Sequence, residues 1–308
     1  MRVDYYLVLT MNILITGAWQ EAEKSINTIE NMGHKVLFLQ YEKDELPCDY
    51  EWVEGVICNG LFLHHSIEKF INLKYIQLTS AGYDRVPMEY VYEHNIKINN
   101  ARGVYSIPMA EFAIAGVLQL YKHMDRFAEN QKDALWNKER NLLELFGKTV
   151  CIVGCGNVGT ECAKRFKAFG CNVVGVDIVT REDENYSRIE LIDNIDEVLV
   201  CSDIVVLTLP LTERSFHIMN KDRFEKMKKE SVLVNIARGA VVDSTALIEA
   251  LDNKKLGGAV LDVFEEEPLD EKNRLWSMKN VIVTPHNSFV GDGNGERLSN
   301  VIIDSLKR

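Results

Sequence analysis

Residues 149–177 constrain this chain more than any other stretch. Thr149-Val150-Cys151-Ile152-Val153 reads as a buried strand. Gly154-Cys155-Gly156-Asn157-Val158-Gly159 follows at once, then a helix-like run to Gly170, then a second apolar run, Asn172-Val173-Val174-Gly175-Val176, ending at Asp177. GxGxxG alone is a weak signal. With a strand before it, a helix and strand after it, and an acid about 20 residues on, it becomes a dinucleotide fingerprint. Gly154 permits the tight turn, Gly156 lets backbone approach a pyrophosphate, and Gly159 lets helix and strand close up. The N–H groups opening the helix at Asn157 and Val158 face the phosphates, where the helix dipole favours negative charge. Asp177 accepts from the adenosine ribose hydroxyls and repels a 2′-phosphate, which predicts NAD over NADP. Arg181, in the charged stretch 181–185, would greet a 2′-phosphate, but Asp177 should outweigh it.

Other short apolar runs alternate with helical ones. Ile13–Thr16, Lys35–Leu39, Gly55–Cys58 and Tyr75–Leu78 read as strands, Glu21–Met32 and Ser66–Ile71 as helices. Such alternation implies a parallel sheet covered on both faces. Met1–Thr16 as a whole reads as a strand; Met11 looks like a natural start, with residues 1–10 an extension. The first segment carries no GxGxxG after Ile15, so a second dinucleotide site is not expected there. Ser106–Arg126 reads as one long, mostly apolar helix buried between domains or subunits. Its Glu111 should be answered by a backbone or ion-pair partner. In the polar stretch 131–140, Trp136 reads as an anchor. Ile195–Val200 reads as helix, and the run from Asp203 to Pro210 as a strand ending where adenine should lie.

Composition narrows the partners. A net charge of -11 argues against a nucleic-acid surface, and no run is long and apolar enough to span a bilayer. Seven cysteines without zinc spacing or a CxxC pair fit a reduced, cytoplasmic chain. Cys151, Cys155, Cys162 and Cys171 fall at strand and helix positions that suit small core residues. No metal site is expected.

Three later strands deliver chemistry at their carboxyl ends, the edge where open α/β sheets bind ligands. Val232–Ile236 runs through Ala237 into Arg238, Ala259–Phe264 into Glu265-Glu266-Glu267, and Val281–Pro285 into His286. Arg offers a planar fork to a carboxylate and its neighbouring carbonyl oxygen. His gives or takes the proton at that oxygen, and an acid on its other nitrogen orients the ring. Taken singly, each has a duller reading: a helix-cap ion pair, a solvated glutamate loop, a surface histidine. Together, after a dinucleotide motif, they form a hydride-transfer constellation for 2-oxo acids. Ser80-Ala81-Gly82, small residues directly after Tyr75–Leu78, offer backbone N–H groups to a substrate carboxylate, or form an ordinary turn.

These segments resemble the D-isomer-specific 2-hydroxyacid dehydrogenase family. The match rests on Ser80-Ala81-Gly82, Asn100-Ala101 with Gly103, and Ala110-Glu111. Leu145–Thr149 before Gly154–Gly159, and Leu209-Pro210-Leu211-Thr212, carry it further. It is completed by Asn235–Gly239, Asp262-Val263-Phe264 before Glu267-Pro268, and Thr284-Pro285-His286. The resemblance implies an α/β protein of two doubly wound parallel-sheet domains. A Rossmann NAD-binding domain, 102–286, is inserted in a flavodoxin-like substrate domain, 1–101 completed by 287–308, with a catalytic crevice between them and a homodimer built through the cofactor domains. It implies Arg238, Glu267 and His286 as catalytic residues, the acid being the one directly before the Pro. Leu209, Pro210, Ala237 and Asp262 join the glycine loop as cofactor contacts, Asp262 toward the nicotinamide carboxamide.

Departures shape the expectations. Members using 3-phosphoglycerate commonly carry Arg after the strand matching Gly55–Cys58; here Asn59 stands there, before the apolar Gly60-Leu61-Phe62-Leu63. A small or apolar 2-oxo acid, held by Asn59, Ser80, Ala81, Gly82 and Arg238, is therefore expected over a phosphorylated one. Cys151 replaces a frequent Gly, and Asn287-Ser288-Phe289 replaces a Gly-rich turn. The chain reaches only Arg308, so a short C-terminal helix, a less closed substrate domain and no regulatory domain are expected. An NADH-sensing, corepressor-type regulator remains the alternative. A formate dehydrogenase is disfavoured, because that relative carries Gln where Glu267 stands.

Overall fold

The computed structural model describes residues 10–307. Residues 1–9, on which the reading of an extension and the start of the first strand rests, lie outside them. In chain order the elements are β1 (Asn12–Thr16), α1 (Ala22–Asn31), β2 (Lys35–Leu39), β3 (Gly55–Cys58), β4 (Tyr75–Leu78), α2 (Met88–Glu93) and β5 (Lys97–Asn99). Then come α3 (Ser106–Tyr121), α4 (Met124–Lys132), β6 (Thr149–Val153), α5 (Asn157–Ala168), β7 (Asn172–Asp177), β8 (Arg188–Leu191), α6 (Ile195–Leu199) and β9 (Ile204–Leu207). The last are α7 (Lys221–Lys226), β10 (Ser231–Asn235), α8 (Ser244–Asp252), β11 (Leu256–Leu261), β12 (Val281–Val283) and α9 (Asn294–Leu306). They form two compact units: one runs through Tyr105 and resumes at Gly291, the other is Ser106–Val290.

The first unit is a five-stranded parallel sheet in the order β2-β1-β3-β4-β5, the flavodoxin-like winding. Its central strands are continuous apolar runs because both faces are covered. Phe70, Leu61 and Val91 pack on one face. Ile29 of α1 and Leu298, Ile302 and Leu306 of α9 pack on the other. Those three α9 residues recur at a four-residue spacing, so one stripe of the helix meets the sheet. Trp19 Nε1 donates to Ser299 Oγ at 3.1 Å and Arg297 Nε to the Val104 carbonyl at 2.8 Å. That face is thus covered in part by a C-terminal helix of 13 residues.

The second unit is a seven-stranded parallel sheet, β12-β11-β10-β9-β6-β7-β8. Counted from β6, the first six strands follow the dinucleotide-fold order 3-2-1-4-5-6, with one strand added at the β12 edge. α3 and α5 cover one face and α6, α7 and α8 the other. Among the described residues no helix is long and apolar enough to cross a membrane.

Three expectations need correction. Ser106–Arg126 is not one helix: α3 stops at Tyr121, and His123 takes a left-handed conformation (φ 48°) before α4 begins. Leu143, returning alongside, donates its N–H to the Tyr121 carbonyl at 3.0 Å and caps the end. Ser66–Ile71 yields only a single 3₁₀ turn, Ile67–Lys69. Trp136 is 92% exposed and anchors nothing among the described residues. Glu111, by contrast, is taken up by Arg165 at 3.0 Å.

Candidate active site and cofactor loop

The loop from β6 into α5 is shaped by its glycines. Gly154 sits at φ 97°, and a Cβ there would lie 2.7 Å from the Leu209 nitrogen. A Cβ on Gly159 would lie 2.1 Å from the Gly154 carbonyl oxygen. At Gly156, in contrast, a Cβ would meet nothing within 4 Å, which leaves open space over the α5 N-terminus. Crowding explains two glycines; the third borders room for a ligand to approach the backbone. Thr208 Oγ1 pins the loop by donating to the Gly154 carbonyl at 2.6 Å.

Asp177, at the end of β7, accepts from Cys155 N at 2.7 Å and Ile178 N at 2.6 Å, so it ties the loop to the neighbouring strand. A carboxylate offers about four acceptor positions, so lone pairs remain for ribose hydroxyls. Arg181 lies against this loop, its Nη2 donating to the Cys155 carbonyl. The sequence left that placement open. Leu209 is buried behind the loop and Pro210 is exposed beside it. An open Gly156, a helix N-terminus and an acid at the second strand fit a dinucleotide.

Farther along the same sheet edge, the ends of β10, β11 and β12 lie side by side. The buried Asn235 side chain wraps the first turn, accepting from Ala237 N at 3.1 Å and donating to the Arg238 carbonyl at 3.0 Å. Arg238, half-buried, donates from Nη1 to the Ala237 carbonyl at 2.7 Å. Gly239 lets the β10 and β11 loops touch: a Cβ there would fall 1.8 Å from the Phe264 carbonyl carbon. His286 Nδ1 faces Glu267 Oε2 at 2.9 Å, while Glu267 Oε1 accepts from Phe264 N at 3.0 Å. Phe289 meets the His286 ring edge-on, at 6.2 Å between centroids.

Glu265 is committed elsewhere. It accepts from Ser244 N at 2.9 Å and pairs with His217 Nε2 at 2.8 Å. Burial would push its carboxyl up, but the hydrogen bonds from Ser244 and His217 outweigh that and hold it below the usual range. Glu267→Gln should therefore lower turnover at least about tenfold, since one amide oxygen cannot serve both His286 and Phe264 N. Glu265→Gln should change turnover little. Steady-state kinetics of the pair checks this; the reverse ranking would reassign the acid.

Asp262 has partners of its own within the chain. It is 0% exposed, and its carboxylate accepts from Thr284 Oγ1 (2.6 Å), Asn287 N (2.8 Å) and Ser288 N (2.9 Å). It thus organises the segment that carries His286. Neither this role nor that of Asn235 was read from the sequence, although both residues stand at strand ends.

In the first unit the expected substrate residues gather at the carboxyl ends of the adjacent strands β3 and β4. The Ser80 carbonyl accepts from Ala101 N at 2.9 Å and the Ala81 carbonyl from Asn100 Nδ2 at 2.6 Å. Ser80 Oγ donates to the Gly82 carbonyl at 3.1 Å. Carbonyls are thus engaged, while the N–H groups of Ala81 and Gly82 have no acceptor among the described residues. The Asn59 N–H is bonded to Glu42 Oε1 at 2.6 Å.

Two family models match the chain: the D-isomer specific 2-hydroxyacid dehydrogenase NAD binding domain over residues 114–288, and the catalytic domain of the same family over residues 13–199. A D-3-phosphoglycerate dehydrogenase of Methanocaldococcus jannaschii is 34% identical over 302 residues, covering 97% of this chain but 57% of that protein. The chain thus spans little more than half of that relative's length. A hydroxypyruvate reductase of Thermotoga maritima is 36% identical, over 79% of this chain and 78% of its own. Among solved structures, D-lactate dehydrogenase from Aquifex aeolicus, complexed with NAD and lactic acid, superposes with a TM-score of 0.78 at 26% identity, covering 96% of this chain and 94% of that one. The chain belongs to the D-isomer specific 2-hydroxyacid dehydrogenase family, and NAD is the cofactor that family's binding domain takes.

Proposed function

We propose that this protein is an NAD-dependent dehydrogenase interconverting a small (R)-2-hydroxy acid and its 2-oxo counterpart. The observation that carries the reading is the 2.9 Å His286–Glu267 pair at the end of β12, with Arg238 at the end of β10 in the same sheet. When bound, NAD supplies the hydride acceptor or donor. With Nδ1 facing the carboxylate, the imidazole presents Nε2 to substrate, where it gives a proton to the developing alkoxide or takes one from the hydroxyl. Arg238 grips the substrate carboxylate and the reacting oxygen through its planar fork. The unengaged N–H groups of Ala81 and Gly82 support the carboxylate contact expected of Ser80–Gly82. In this reading 102–286 acts as the cofactor domain, and 1–101 with 287–308 as the substrate domain.

Oxidation of NADH with a panel of 2-oxo acids tests the reading. Tight NADH binding with no turnover of any acid would point to a regulator instead.

NAD should be preferred over NADP. A carboxylate close to a 2′-phosphate disfavours it, so NADH should exceed NADPH in kcat/KM by about tenfold or more. Asp177→Ala should narrow that gap, because Arg181 stays beside the loop. Equal use of both cofactors by the unaltered protein would show that Arg181 offsets the acid.

A homodimer and a cytoplasmic setting complete the proposal. Exposed Met124, Leu135, Trp136 and Phe146 support self-association through the second unit, and seven free cysteines suit a reducing compartment. Sedimentation measures the oligomer directly.

A further inference from the structure

We infer that Glu42 is a specificity-determining residue. Its carboxylate fills an anion seat at the carboxyl edge of the first sheet, and so restricts the substrate to 2-oxo acids without a phosphate or second carboxylate. This deepens the dehydrogenase reading and rests on it.

The seat lies where ligands of such sheets bind. The chain leaves β1 for β2 on one side and then crosses to β3 on the other, so β1 and β3 flank the switch point. Three donors converge there. Thr16, the last residue of β1, donates its hydroxyl to Glu42 Oε1 at 2.8 Å, and Asn59 N, just after β3, donates to the same oxygen at 2.6 Å. Gly60 N donates to Oε2 at 2.7 Å. Two consecutive backbone N–H groups and a hydroxyl that is itself 0% exposed make an oxyanion cradle, here filled from within the chain.

Glu42 does not reach the cradle by chance. Its carbonyl faces His65 Nε2 at 2.9 Å, and His65 Nδ1 faces Tyr50 OH at 3.0 Å. His65 is buried, so residue 42 is fixed by its backbone as well as by its side chain. Arg85 runs past the same place: its Cδ lies 3.7 Å from where a Gly60 Cβ would be. Arg85 has no hydrogen bond or ion pair among the described residues. An anionic tail arriving at this edge would meet donors already answered and a carboxylate of its own sign, and that repulsion discriminates between substrates. Without the carboxylate, the cradle and Arg85 would be left to receive the tail.

The test compares the unaltered protein with Glu42→Gln, which keeps one acceptor and drops the charge, and with Glu42→Ala. The kinetic measure is kcat/KM for 3-phosphohydroxypyruvate divided by that for hydroxypyruvate. It should rise about tenfold or more in Glu42→Ala, and less in Glu42→Gln. Independently of turnover, inorganic phosphate should raise the melting temperature of Glu42→Ala more than that of the unaltered protein, by mass action on a new site. The added gain should vanish in Glu42→Ala/Thr16→Val. An unchanged kinetic ratio, or equal phosphate stabilisation of all three proteins, overturns the inference. Absence of turnover in the unaltered protein sinks the dehydrogenase reading instead, and the phosphate measurement still decides whether the seat exists.

Discussion

Replacing His286 with alanine is expected to lower the turnover of 2-oxo acids about 100- to 10,000-fold, the usual share of general acid–base catalysis. NADH binding should stay close to that of the unaltered protein. The structure separates the two effects. The imidazole stands at the end of β12, its side chain 43% exposed, so truncation leaves no buried cavity. The glycine loop and Asp177 lie at the other end of the same sheet edge, on β6 and β7, and do not depend on the ring. Fluorescence titration of NADH with steady-state kinetics measures both quantities. A fully active His286→Ala protein would remove the proposed mechanism; loss of NADH binding together with activity would mean the ring supports the cofactor site.

Strand character in this chain was legible wherever a strand is central and covered on both faces. β3, β4, β6 and β9 are short apolar runs with nearly every residue buried, and such runs announce themselves. Two of the four edge strands, β5 and β8, were not legible, although the edge strands β2 and β12 were. Lys97–Asn99 and Arg188–Leu191 are half-exposed and carry charged residues, so their sequence resembles a loop. Short α2, α7 and α8 were missed as well, since six to nine residues give little period to read. The break after Tyr121 had no local signal, neither Pro nor Gly. It is imposed by Leu143, which arrives from farther along the chain to take the last carbonyl.

The same division runs through the site. Arg238, an acid within Glu265–Glu267 and His286 could be proposed together because each follows an apolar run, and strand ends share an edge; the choice of Glu267 came from the family resemblance. Glu42 was invisible because it lies in a polar connection after β2. Its importance appears only once the winding order brings Thr16 and Asn59 together. The structural partners of Asp262, residues 284–288, could not be read in advance, because they become neighbours only through the pairing of β11 with β12.

Asp262→Ala should therefore act on the protein as much as on the cofactor. The fully buried carboxylate takes three donors from the segment after β12, and the Asp262 carbonyl accepts His286 N at 2.8 Å. Together these hold His286 at φ 51°, a left-handed conformation that an unsupported histidine rarely keeps. Without the carboxylate, Asn287 N–H can turn to water because the residue is exposed. Ser288, 2% exposed, cannot easily do so. Leaving such donors unanswered costs about 1–3 kcal/mol each, so a loss of about 2–4 kcal/mol in stability is expected. The released segment should also misplace the imidazole, and an error of about 1 Å there costs on the order of 100-fold in rate. Asp262→Asn keeps the shape and one acceptor but turns an amide NH₂ toward a donor, so it should fall between the two proteins in both measures. Chemical denaturation beside kcat separates this role from a contact with nicotinamide alone. An Asp262→Ala protein of unaltered stability and kcat, with only its NADH affinity weakened, would confine the residue to the cofactor.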